Sequence, residues 1–117
     1  DLILVMMGDV ARQAASEVGI PFAAEGYVDL DYDRQGRLVL ERHKGARDPE
    51  EVARRAERLV REHQVPTVDG AALTMAVDTV CIHGDAPNAP AIARQVREQL
   101  AASAIQVRPL RQFVQAG

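Results

Sequence analysis

Tryptophan is absent from this 117-residue chain, and aromatic residues of any kind make up only 3% of it. Two phenylalanines (Phe22, Phe113) and two tyrosines (Tyr27, Tyr32) are too few for a base-stacking platform. Basic runs are lacking as well. The 14 Lys and Arg are outnumbered by 17 Asp and Glu, so the net charge is −3 and no electrostatic footprint for nucleic acid is present. The one cysteine, Cys81, cannot close an internal disulfide, and no zinc-ligand spacing exists. The apolar opening stretch, Leu2 to Met7, falls far short of the roughly 20 residues that cross a bilayer. It also lacks the basic segment that opens a signal peptide. Neither nucleic acid nor a membrane is an expected partner, and a reducing cytoplasm is the expected location. A Walker-type phosphate loop and a dinucleotide fingerprint are missing too.

What is present is an ordinary globular composition. Hydrophobic residues at 47% and charged residues at 26% exclude a disordered chain. A core of Val, Ile, Leu and Ala suits helices packed on a parallel sheet. Leu2 to Met7, closed by Gly8, reads as a strand buried on both faces. Val10, Ala14, Ala15 and Val18 recur at helical spacing, with Asp9 as N-cap and Gly19 as the stop. Ile20 to Val28 reads as a second strand. Asp33 to Gly36 has turn composition, and Arg37 to Leu40 a short extended piece. Asp48-Pro49-Glu50-Glu51 is a helix start: Asp caps, Pro fits the first helical position, and the glutamates suit the positive end of the dipole. Val52, Ala56, Leu59, Val60 and His63 form its apolar stripe. Arg54, Arg55, Arg58 and Arg61 alternate with glutamates as a solvent face. Asp69-Gly70 marks a hairpin within 65–76. Val77 to Ile82 is a buried strand, and Ala89, Ile92, Ala93, Val96 and Leu100 make a second amphipathic helix. Ile105 to Val107 reads as a last strand, and Leu110 to Val114 as the start of a helix.

Strands alternating with helices imply parallel βαβ units. They form either a small open sheet or an arc of a (β/α) barrel, a fold that needs roughly 200 residues to close. The chain begins at Asp1 and enters a hydrophobic strand at once, whereas termini are usually polar and loose. This favours the arc. Residues 1–117 are expected to be one partial α/β domain whose N-terminal half is absent.

In parallel α/β folds, active sites lie at the C-terminal ends of strands. His83 and Asp85 follow the strand Val77 to Ile82 directly, two apart, with Gly84 between them. Such a pair suits general acid–base work or a metal edge. The helix after Asn88 offers amides to an anion. The alternative is that Asp85 and Asn88 only cap that helix. Glu25, Asp29 and Asp31 cluster at the end of the second strand, either as a cation or amine site or as a solvated turn. Cys81, inside a strand, reads as inert packing rather than a nucleophile.

These residues carry a resemblance. Val77-Asp78-Thr79-Val80-Cys81-Ile82-His83-Gly84-Asp85-Ala86-Pro87 closely resembles the D-T-[IV]-C-[IV]-H-G-D-x-P signature of the LamB/YcsF family. Glu25 to Tyr32 with Gly36-Arg37-Leu38, Asp48 to Glu51, and Val68-Asp69-Gly70 match further segments of that family in the same order. Leu30 stands where the family has Arg, and the loop before Asp48 is shorter. The resemblance implies a barrel-like fold similar to the glycoside hydrolase/deacetylase superfamily. It also implies the A subunit of a three-part 5-oxoprolinase, which opens 5-oxoproline to glutamate with ATP. The partners implied are B and C subunits similar to allophanate hydrolases. On this basis His83 is expected as the acid/base and Asp85 as its orienter or a holder of water. Glu25 and Asp29 are expected to face the substrate amide or a cation. Two rivals stand beside it: a metal-dependent deacetylase-like hydrolase with His83 as a ligand of a divalent ion, and a non-catalytic binding module.

Overall fold

The computed structural model describes residues 2–115. Three strands make the central sheet: β1 (Leu4–Met6), β2 (Phe22–Tyr27) and a third, β7 (Thr79–Cys81), that arrives late in the chain. Helix α1 (Asp9–Glu17) links β1 to β2. Between β2 and β7 lie a short antiparallel pair, β3 (Asp31–Tyr32) with β4 (Leu38–Val39), helix α2 (Pro49–Glu62), and a hairpin, β5 (Gln64–Pro66) with β6 (Ala72–Thr74). Helix α3 (Ala89–Ala102) follows β7, and a single 3₁₀ turn (Leu110–Gln112) lies near the end.

The sheet order is β1-β2-β7, and both pairings are parallel. Strand β2 is shared end to end: its first half pairs with β1 and its second half with β7. Asp78 fastens the second seam. Its carboxylate accepts from the Ala24 amide at 2.9 Å, and its own amide donates to the Ala24 carbonyl at 2.8 Å.

The core sits between this sheet and the α2–α3 pair. Val52, Ala53, Ala56 and Leu59 of α2 and Ile92, Val96 and Leu100 of α3 are buried together with Val28, Tyr32 and Val65. Each large apolar side chain removed from water in this way contributes roughly 1.5–3 kcal/mol. Helix α2 begins as expected: the Asp48 carboxylate accepts from the Glu50 amide at 3.0 Å, and Pro49 takes the first turn. Gly26 makes the close approach of β2 to α2 possible. A Cβ there would lie 2.7 Å from Leu59 Cδ2 and 2.8 Å from Val77 Cγ1.

Several expectations need correction. Strand β1 is not buried on both faces: Leu2 is exposed, and Val5 and Met6 are open to solvent. As an edge strand it has a neighbour on one side only. Ile105 to Val107 forms no strand, because the described chain offers its amides no strand to pair with. Leu110 begins only the 3₁₀ turn. Helix α1 is preceded by Gly8 as N-cap, so Asp9 is its first residue rather than its cap. His63 leaves the α2 stripe and ends the helix in the left-handed region at φ 56°. Arg55 leaves the solvent face. It turns inward to the Leu30 carbonyl and the Asp31 carboxylate, both at 3.3 Å. Arg54, Arg58 and Arg61 keep the expected pairs with Glu50, Glu62 and Glu57.

Candidate functional site

Side chains alternate between the two faces of a strand. Gly26 of β2 and Val28 just beyond it, with Val80 of β7 and Ile82 just beyond it, face the helices. Glu25, Tyr27 and Cys81 therefore take the opposite face, with Tyr27 and Cys81 directly paired in register. Just beyond the strand ends stand Asp29 and His83, and the chain brings them together across 54 positions. The Asp29 carboxylate lies 2.9 Å from His83 Nδ1 and also accepts the His83 backbone amide at 2.5 Å. Asp29 is buried, at 5% exposure, whereas the imidazole is about one third accessible. A buried carboxylate on Nδ1 fixes ring orientation and favours the tautomer with its proton on that nitrogen. Nε2, which has no protein partner among the described residues, is left to accept a proton.

The neighbours of this dyad are tuned by their surroundings. The Tyr27 ring packs against the imidazole with centroids 5.3 Å apart, and its hydroxyl donates to Glu25 Oε2 at 2.9 Å. Burial, then the contact with the Glu25 carboxylate, pushes the Tyr27 phenol up to about 12. The Cys81 thiol is pushed up to about 11, first by burial and then by the charge of Glu25. It stays protonated at neutral pH, which suits the packing reading and not a nucleophile.

The sequence expectation pairs His83 with Asp85; the structure pairs it with Asp29. Asp85 instead binds Lys44 Nζ at 2.7 Å, and that ammonium holds its carboxyl below the usual range. Nor does Asp85 or Asn88 cap α3 through its side chain. Asn88 donates to the Arg47 carbonyl at 2.7 Å. Asp31 departs from the acidic cluster too, held by Arg47 at 3.1 Å and by Arg55, with its carboxyl lowered chiefly by Arg47. Asp29 and His83 thus meet, Glu25 joins them through Tyr27, Asp85 is drawn to Lys44, and Asp31 is held by Arg47 and Arg55. Tyr27 and Lys44 are the site residues that sequence reasoning missed. Tyr27 had a signal, since it shares a strand face with Glu25 two residues away. Among the described residues no group of three or more His, Cys, Asp or Glu side chains is placed to hold a metal ion.

The profile of the LamB/YcsF family matches residues 1–115. The chain belongs to the LamB/YcsF family. It is 41% identical over 108 residues to the 5-oxoprolinase A subunit of Thermus thermophilus, covering 91% of this chain and 43% of that protein. It is 38% identical over 107 residues to the 5-oxoprolinase A subunit numbered 1 of Pseudomonas aeruginosa, covering 92% and 42%. The crystal structure of the lactam utilization protein from Thermus thermophilus superposes with a TM-score of 0.79 at 38% identity, over 92% of this chain and 43% of that one. This LamB/YcsF chain thus spans less than half the length of the relatives it matches, and within that span it shares their mixed α/β fold. None of its described helices is long and apolar enough to cross a membrane.

Proposed function

We propose that this chain contributes an acid–base corner to the lactam-opening site of a 5-oxoprolinase, within its A subunit. One observation carries the reading: a buried carboxylate, Asp29, holds an accessible imidazole, His83, at the C-terminal ends of two parallel strands. Ring opening of a lactam needs a proton taken from water and a proton given to the departing nitrogen. His83 Nε2 does both in turn. Asp29 keeps the ring oriented and stabilises the imidazolium that forms between the two transfers. Glu25 and Tyr27 face the substrate amide from the same sheet face. The three-stranded sheet, open at β1 and β7, is then one arc of a (β/α) barrel, whose closure and further site residues belong to the rest of the assembly.

ATP, which the family resemblance implies, would supply the driving force for opening an unstrained ring. The turns after β1 and β7 carry one glycine each, Gly8 and Gly84, which does not fit a glycine-rich phosphate cradle. Nucleotide contacts are accordingly assigned to the rest of the assembly and its B and C partners. The test is glutamate release from 5-oxoproline by the protein assembled with those partners. His83→Ala is expected to lower turnover about 10²- to 10⁴-fold, the usual contribution of a positioned acid–base group. Full turnover in a folded His83→Ala complex would remove His83 from the chemistry.

A further inference from the structure

The loop between β4 and α2 is polar and open. Glu41, Arg42, His43, Gly45 and Ala46 are all exposed. Lys44 departs from its neighbours: only 17% of its side chain is accessible. Holding a lysine inward costs rotamer entropy, on the order of 2 kcal/mol for so flexible a side chain, so something must keep it there. The partner is Asp85, which is itself 69% accessible and lies two residues after His83. One carboxylate oxygen satisfies one of the three donors of an ammonium group.

The ion pair ties Lys44 to the end of β7: Asp85, 2.7 Å from the ammonium, stands two residues after His83, the imidazole held by Asp29. The two nearby guanidiniums are otherwise engaged, Arg47 and Arg55 both on Asp31. Lys44 differs from them in its partner: Asp85 is 69% accessible against 33% for Asp31, so it is the carboxylate an incoming ligand can displace. Without Lys44, Glu25, Asp29 and Asp85 would repel any anion.

We infer that Lys44 receives the carboxylate of a lactam acid, which displaces the Asp85 carboxylate from the ammonium and leaves the lactam ring directed toward His83. The exchange replaces one carboxylate by another, so no charge is left unpaired at Lys44. Asp85 acts as a placeholder that keeps the lysine folded inward between turnovers. This assignment rests on the lactam-opening reading above and names how that site selects an acid over a neutral lactam.

The experiment compares two ligands that share the ring, 5-oxoproline and 2-pyrrolidinone, which lacks the carboxylate. Binding of each to the assembled protein is measured calorimetrically for the unaltered protein, Lys44→Met, Lys44→Arg and Asp85→Asn. Lys44→Met is expected to weaken 5-oxoproline binding about 10- to 100-fold, the effect of losing a charge-assisted hydrogen bond, and to leave 2-pyrrolidinone unchanged. Lys44→Arg should restore most of the loss. Asp85→Asn should tighten 5-oxoproline binding, because the amide oxygen can still accept from Lys44 and hold it inward while no longer competing with a full negative charge; a purely structural ion pair predicts no such gain. Equal losses for both ligands, or weaker 5-oxoproline binding in Asp85→Asn, overturn the inference while leaving the lactam site standing. If the unaltered protein binds neither ligand, the lactam reading falls and this inference with it.

Discussion

Gly26 is the point at which the helix layer and the site meet, and replacing it by alanine tests both. The added Cβ would lie 2.7 Å from Leu59 Cδ2 and 2.8 Å from Val77 Cγ1, each well inside contact distance. Leu59 is fully buried and Val77 is β-branched, so neither side chain can swing clear at little cost. Overpacking of this kind costs about 1–3 kcal/mol. At about 4–8 °C per kcal/mol for a domain of this size, the melting temperature should fall by at least several degrees. Leu59→Ala alone should cost about 2–5 kcal/mol through the cavity it leaves. The two changes relieve each other, since the alanine methyl enters the space that Leu59 vacates. The double variant should therefore be more stable than the sum of the single losses predicts, with a coupling of about 0.5–3 kcal/mol. Chemical denaturation of the four proteins gives the cycle. Strict additivity would refute the reasoning, because it would mean that β2 and α2 do not touch at Gly26.

Two further outcomes follow from the same geometry. Asp78→Ala removes the acceptor of the buried Ala24 amide and should destabilise the protein by about 1–3 kcal/mol, the penalty for stranding such a donor, as read by denaturant unfolding. Cys81, with its thiol at about 11, should react slowly with a thiol-alkylating reagent at neutral pH. The rate should climb with pH without levelling before about 11, and a plateau near the ordinary thiol value of about 8.5 would contradict the buried environment.

Local rules made the helices legible. Asp48 and Pro49 announce α2, the apolar stripes of α2 and α3 become the core, and Gly19 ends α1 in the left-handed conformation a glycine permits. The Asp33 turn and the Asp69-Gly70 hairpin were legible for similar reasons, since both bends fall within a few residues. Strand burial was not legible. Leu4 to Met6 has the apolar run of a central strand, yet burial depends on neighbours that no run of residues specifies. The same blindness produced the false strand at Ile105 to Val107. At the site, His83 and Asp85 could be placed at a strand end from the sequence. The choice of partner could not, because Asp29 and Lys44 reach the site from segments far away along the chain and nothing local distinguishes Asp29 from Asp31. Arg55 shows the same limit on a helix: its spacing reads as surface, and only the position of Asp31 draws it inward.

Asp29 and His83 are 54 positions apart, and the chain between them includes both antiparallel pairs and all of α2. Closing so long a loop carries an entropic penalty that local helix formation does not share. Helical content can thus be complete while β7 is still undocked, and in that state the imidazole has no carboxylate behind it. The Asp29–His83 pairing is consequently expected to form after the helices and to be lost when the β2–β7 seam loosens, so a helical signal overstates how many molecules hold it.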